Sequence, residues 1–437
     1  MKPVQAVNLL LLTGLSSACL LPEERAGVAI RSRIARRQGN SGKAIGTGDR
    51  FHGGKVFPRG IGSGNATDMS TILNIAEVDT GIQGLVAEYG IETFTTPYKT
   101  YEGRTITGLK VGGGCASGND KYHVYLNGAI HARERGSHDN VLYFISDLLY
   151  AKKHGTGLTY GSKSYTNADV KKVLKAGIVA TPLINPDGVN YDQQTNSCWR
   201  KNRNPASSGG RANRIGIDLN RNFDFVWDLD QWAPSEANSV ASENPSSEVF
   251  HGTAPFSEPE TQSMKYVLDT YAKVRWFIDL HSYAGDVLYS WGSDTDQSNH
   301  PYKNFLNSTY DGVRGITSDS PDTKYGEYIS ETDLNNVKTA GTRMGDAMSA
   351  AAGREHVVMQ SAYLYATSGA SDDYAFSRHF ADPSKNLVYA YTVEFGFGND
   401  AASCPFYPSE SQFLSNLQET NAGFMEFLLA ASEIGLE

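Results

Sequence analysis

The sequence predicts an α/β fold, a central sheet covered by helices on both faces. From about Met69 onward, helix-period and strand-like apolar segments alternate regularly, as in sheets layered by helices rather than all-β or bundle folds. Apolar residues are 40% and aromatic residues 11% of the 437, enough for a substantial core and too much for a disordered chain. Only 20% are charged and 44 are glycine, which describes a loop-rich globular chain rather than a coiled coil. No internal repeat is evident.

The elements follow in order. A cap signal at Asp68 and Ser70 opens a helical pattern that runs to Tyr89. Strand-like runs cover Thr105–Val111 and Tyr122–Ile130, and a helix covers His138–Lys152. Ala176–Leu183 is a short apolar strand, broken by the turn cluster Asn185-Pro186-Asp187-Gly188. Past Pro255 a helix spans Glu258–Tyr271, and Val274–Leu280 is a buried strand. Two stretches rich in Ser, Asp, Asn and Pro, Gln231–Ser247 and Gly292–Asn335, read as long surface loops. A helix over Asn336–Ala352, a strand over Leu387–Phe395 and an amphipathic helix over Ser411–Ile434 complete the chain.

The N-terminus has a different pattern. Lys2 precedes the apolar run Val7–Leu15, and Ser16-Ser17-Ala18-Cys19 follows it. Too short to span a bilayer, this run reads as a secretory signal over residues 1–19 rather than a buried helix. Residues 20–50 are then a short pro-segment or linker, and 51–437 the folded domain. The arginine cluster between Arg31 and Arg37 is a candidate dibasic processing site, with a solvated linker as the alternative. No later segment is apolar enough to anchor the chain in a membrane. The net charge is −9, and residues 1–37 carry six Lys/Arg and two Glu, so their loss leaves −13. An acidic balance argues against a nucleic-acid partner. Asn65-Ala66-Thr67 and Asn307-Ser308-Thr309 are glycosylation sequons expected in exposed loops.

Beyond Cys19 at the signal boundary, the cysteines are Cys115, Cys198 and Cys404, with no C-x-x-C pair to bind zinc. In an oxidising compartment two of the three are expected to pair. Spacing cannot decide which; Cys198–Cys404 is favoured because both flank segments that converge on the site below.

Ionisable residues sit where three predicted strands end, the edge at which open α/β sheets bind ligands. His131-Ala132-Arg133-Glu134 follows the strand ending in Ile130. His281 terminates Arg275–Leu280, and Glu394 terminates Leu387–Val393. Each alone is equally a surface pair, a core histidine or an edge glutamate. Together they fit a catalytic zinc site of two His and one Glu, plus a separate Glu as general base. Neither H-E-x-x-H nor G-x-S-x-G occurs.

With these residues in place, the chain from about Phe51 to its end resembles the secreted zinc carboxypeptidases of the pancreatic carboxypeptidase A/B family. The landmarks run in matching order. They are Tyr101-Glu102-Gly103-Arg104, Gly128 to Glu134, Asn185 to Gly188, Trp199 to Arg203 and Asp218 to Asn222, then Pro255 to Thr261, His281-Ser282-Tyr283, Tyr365 with Ser368-Gly369, and Glu394. The resemblance implies a single α/β domain with a twisted mixed parallel/antiparallel sheet, one zinc per chain, and a secreted, monomeric exopeptidase acting on peptide C-termini. It implies zinc ligation by His131, Glu134 and His281, with Asp218 orienting an imidazole. Glu394 would be the base and Arg200 the group that stabilises the oxyanion. Asn220, Arg221 and Tyr365 would clamp the terminal carboxylate, and Arg133 would contact the peptide further back.

Asp372, in Ser368-Gly369-Ala370-Ser371-Asp372-Asp373-Tyr374, matches the position that sets the character of the family's side-chain pocket. An aspartate there resembles the B-type enzymes, which remove Lys and Arg. The alternatives are a turn-capping Asp with A-type, aliphatic or aromatic specificity, and a catalytically silent binding module. Two departures stand out: no domain-sized prosegment precedes residue 51, and Arg135-Gly136 replace the usual tryptophan and aliphatic residue.

Overall fold

Apolar strands and amphipathic helices alternate as the composition demands, and in the computed structural model eight strands form one sheet. The structure describes Leu20, Leu21, Glu24 and residues 41–437 apart from Asn65, Thr67, Cys115 and Ala116. The signal segment, the arginine cluster and the Asn65 sequon therefore lie outside the described residues. Asn307 caps a one-turn helix within a loop and is half-buried.

The strands are β1 (Glu92–Lys99), β2 (Thr105–Val111), β3 (Val124–Gly128), β4 (Ile178–Thr181), β5 (Trp276–Ser282), β6 (Asp286–Tyr289), β7 (Val357–Gln360) and β8 (Tyr389–Phe395). Their lateral order is β1-β2-β4-β3-β5-β8-β6-β7. The central run β4-β3-β5-β8 is parallel, while β1, β2 and β6 join antiparallel neighbours. The sheet is thus mixed, as expected. Its middle strands are wholly buried, which explains their continuous apolar runs.

Among the described residues, eight helices longer than one turn cover it: α1 (Ile75–Tyr89), α2 (Ser137–His154), α3 (Asn167–Lys175), α4 (Pro186–Thr195), α5 (Pro259–Thr270), α6 (Glu331–Ala352), α7 (Ser371–Ala381) and α8 (Glu410–Ile434). Successive side chains on β8 show that they occupy both faces. Tyr391 Oη donates to Val337 O of α6 at 2.8 Å. Its neighbour Thr392 faces the other way and hydrogen-bonds Asp372 of α7. On the Tyr391 side, Phe144 of α2 meets Phe424 of α8 at 5.1 Å between ring centroids.

Several expectations need correction. The Asn185–Gly188 cluster starts a helix rather than only breaking a strand: Asn185 Oδ1 accepts the Gly188 N–H at 3.0 Å, and Pro186 opens α4. The first helix begins at Ile75, where Asn74 and Glu77 form a capping box. Gln231–Ser247 and Gly292–Asn335 are not simply surface loops. Trp232, Val240, Arg314 and Glu327 are buried within them, and α6 begins at Glu331 behind a Ser330 cap.

Candidate metal centre and active site

The parallel register places the chemistry. Glu394 on β8 lies directly beside His281 on β5. Residues two apart share a face, so Asp279 joins His281, and Thr392 joins Glu394, on the side covered by α7. β3 ends at Gly128, and the chain turns through Ala129, at φ 60°, to deliver His131 and Glu134. One ligand atom each from His131, Glu134 and His281 lies within 4.8 Å of the others, and all three residues are buried.

The orientation of these groups tests their fit to a metal. His131 Nε2 is 3.0 Å from Asp218 Oδ1, and His281 Nε2 is 3.4 Å from Asp279 Oδ2. A proton on each Nε2 satisfies those carboxylates and leaves both Nδ1 atoms as lone-pair donors. The two Nδ1 atoms approach to 3.1 Å. Glu134 stands 2.7 Å from one and 3.2 Å from the other. Lone pairs and a carboxylate converging in a dry site call for a cation, and this N/N/O set suits zinc with room for a further ligand. Asp218 is held low against burial, by Arg200 and His131.

Asp218 also anchors Arg200, whose Nη2 donates to Oδ2 at 2.8 Å and whose Nη1 lies 3.3 Å from His131 Nδ1. Arg200, Asn220, Arg221, Tyr365, Asp372 and Glu394 line a single cavity beside the metal ligands. Arg221 is fully buried: Nε donates to Val240 O at 2.8 Å and Nη1 to Asn220 O at 2.6 Å, while Nη2 has no partner among the described residues. The Tyr365 ring stands 5.9 Å from that guanidinium. Asp372, in the first turn of α7, accepts from Ser361 Oγ at 3.2 Å and from the Asp373 N–H at 3.0 Å. Burial pushes its carboxyl above the ordinary value. Its neighbour Asp373 turns away to accept the Gly292 N–H. Arg133 alone among the expected catalytic and substrate-binding residues lies outside this cavity lining. A larger groove lined by Ile75, Asp79, Ile82 and Thr105 lies apart and contains none of these groups.

The comparisons with known proteins agree with this geometry. The zinc carboxypeptidase family matches residues 82–423. The chain belongs to that family. Carboxypeptidase B of Astacus astacus is 29% identical over 326 residues, 74% of this chain and 84% of that protein. Human carboxypeptidase O is 27% identical over 333 residues, 75% of this chain and 70% of that protein. Carboxypeptidase B of Helicoverpa zea aligns at 31% over 210 residues, which is 42% of that protein. Among solved structures, thrombin activatable fibrinolysis inhibitor matches with TM-score 0.60 at 21% identity, over 83% of this chain and 75% of that one. Carboxypeptidase A from Helicoverpa armigera matches with TM-score 0.60 at 22% identity, over 85% and 76%. The chain is thus a zinc-dependent carboxypeptidase with the fold of those enzymes.

The carboxypeptidase also contains supports that its sequence did not single out. Asp279 orients His281; a charged residue two places before a ligand on an apolar strand was its only signal. Cys198 and Cys404 form the disulfide, two residues before Arg200. Asp192 accepts from the Trp199 N–H at 2.8 Å and from Tyr407 Oη at 2.6 Å. Arg135 donates to Asp192 at 3.0 Å and lies 3.4 Å over the Tyr407 ring. The residue that departs from the family pattern therefore helps to fix the strand of chain carrying Arg200.

Proposed function

We propose that this zinc carboxypeptidase is secreted, acts as a monomer and removes C-terminal Lys or Arg from peptides. Residues 1–19 would be the signal, 20–50 the short pro-segment and 51–437 the catalytic domain. The observation that carries the exopeptidase reading is the unpartnered Nη2 of Arg221 in the same cavity as the Asp372 carboxylate. A buried cationic donor is satisfied by a terminal carboxylate, and a buried carboxylate by a basic side chain.

Zinc held by His131, Glu134 and His281 would supply Lewis acidity and an acidified water, with a pKa near 7. Glu394 takes a proton in the attack and returns it to the leaving amine. Arg200, oriented by Asp218, faces the developing oxyanion. Asn220, Arg221 and Tyr365 fix the terminal carboxylate, so that only the last peptide bond reaches Glu394. Arg133 holds the peptide further back.

A second reading, A-type specificity, is favoured by the burial that raises the Asp372 pKa against the hydrogen bonds from the Asp373 N–H and Thr392 that lower it. Kept neutral, it would accept an apolar side chain. Relatives named for both types occur, so the pocket must decide. Peptides ending in Lys, Leu and Phe, assayed with and without a chelator, test both readings. Faster release of Leu or Phe would refute the basic pocket, and chelator-resistant activity would refute the metal assignment.

A further inference from the structure

Arg200 is held through its main chain as well as through its guanidinium. Four consecutive residues are pinned one by one. The Cys198 N–H donates to Tyr407 Oη at 2.8 Å, and the Trp199 N–H donates to Asp192 Oδ1 at 2.8 Å. Arg200 O accepts the Ala132 N–H at 3.0 Å, and Lys201 O accepts Asn185 Nδ2 at 3.3 Å. The first two of these bonds share one source. While it accepts from Cys198, Tyr407 Oη donates to Asp192 Oδ1 at 2.6 Å, so one carboxylate oxygen serves both the phenol and the Trp199 amide.

The other oxygen of Asp192 accepts Arg135 Nε at 3.0 Å. Arg135 Nη2 reaches Asp192 O at 3.0 Å and Asn196 Oδ1 at 2.9 Å, and the guanidinium lies 3.4 Å over the Tyr407 ring. Arg135, Asp192 and Tyr407 are 2%, 0% and 0% exposed. Burial and the Asp192 charge push the Tyr407 phenol up, which keeps it a donor. A sealed ion pair gains little stability over apolar packing of the same volume. What this one supplies is geometry. Arg135 directly follows Glu134, and Trp199 directly precedes Arg200, so the pair joins the loop of the metal ligands to the segment of the oxyanion group.

We propose that Arg135, Asp192 and Tyr407 are positioning residues for the oxyanion step: they tie the loop carrying His131 and Glu134 to the segment carrying Arg200, so that the guanidinium keeps a fixed relation to the metal ligands while tetrahedral charge develops. The inference rests on the role assigned to Arg200 above. Ground-state binding of the peptide does not use this alignment. Loosening it therefore falls on kcat and on affinity for a tetrahedral anion, and leaves KM in place.

Three variants test it, D192A, Y407F and R200M, each scored per bound zinc on the preferred of a Lys-ended and a Leu-ended peptide. D192A should lower kcat about 10- to 100-fold with KM within about twofold, the scale of a displaced catalytic group. Y407F keeps the ring under Arg135 and removes only the hydroxyl, so kcat should fall about 2- to 10-fold; it decides alone if D192A does not fold. A peptide phosphonate, whose anionic oxygens imitate the oxyanion, should lose affinity by the same factor as kcat/KM. Amide exchange over residues 198–201 should quicken in both variants, with zinc or without it. In the R200M background the losses from D192A and Y407F should vanish, because they act only through Arg200. Wild-type kcat or unchanged exchange in the folded variants overturns the proposal, and so does a loss that persists in full on R200M. R200M at the wild-type rate refutes the oxyanion role of Arg200 itself, a result read from that variant alone.

Discussion

Replacing Arg221 by Met removes the proposed carboxylate clamp and keeps much of its volume. Two of its three guanidinium nitrogens are engaged by the protein, Nε with Val240 O and Nη1 with Asn220 O, so the substrate's main share is the donor at Nη2. A hydrogen bond to a charged group is worth about 1.5–3 kcal/mol. Its loss should lower kcat/KM for a peptide with a free C-terminus by about 10- to 150-fold. The same peptide with an amidated C-terminus has no charge to lose and should be slowed far less. The ratio of the two kcat/KM values is the readout, since it cancels any general loss of folded or zinc-loaded enzyme. If R221M keeps the wild-type preference for the free acid, the clamp lies elsewhere and the proposed role of Arg221 is wrong.

E394Q should retain zinc by metal analysis and lose about 10²- to 10⁴-fold in kcat, the usual share of a general base. D218N should weaken zinc about 10- to 100-fold in competition with a chromogenic chelator, because it releases the His131 imidazole. D372I should shift preference from Lys toward Leu at unchanged zinc content. In the unmodified enzyme the Lys-over-Leu ratio should fall as pH falls through the raised Asp372 pKa, since protonation removes the charge a basic side chain needs; a pH-independent ratio would exclude Asp372 as its source. Joint replacement of Cys198 and Cys404 by Ala should cost about 5 kcal/mol in urea unfolding, as expected for a bridge closing a 206-residue separation.

Much of the centre was legible because the sheet's middle strands are buried on both faces. Long apolar runs ending in His281 and Glu394 marked β5 and β8, and H-x-x-E after another such run marked His131 and Glu134. The outer strands were not legible in the same way. β6 and β7 are only four residues long, and β1 is a mostly exposed edge containing Pro97, which reads as loop. Helix α7 was hidden because Ser371-Asp372-Asp373 look like turn residues; they are buried, Asp372 in the cavity lining, Ser371 bonded to Asp279 and Asp373 to Gly292. The Arg135–Asp192 pair joins residues 57 apart, and no local pattern announces such a contact.

The division of labour between the sheet and its connections has a practical consequence. His281 and Glu394 are direct partners across one parallel ladder, and β8 is paired on its other side with β6, so Glu394 is braced by main-chain bonds on both sides. Asn220 and Arg221 sit on a single 3₁₀ turn, Tyr365 follows a one-turn helix, and Asp372 stands in the first turn of α7. On the proposed assignment, selectivity is carried by these connections and the first turn of α7, while His281 and Glu394 belong to the sheet. Grafting a different 361–374 stretch should retarget the enzyme to other chain ends without rebuilding the machinery that cuts them.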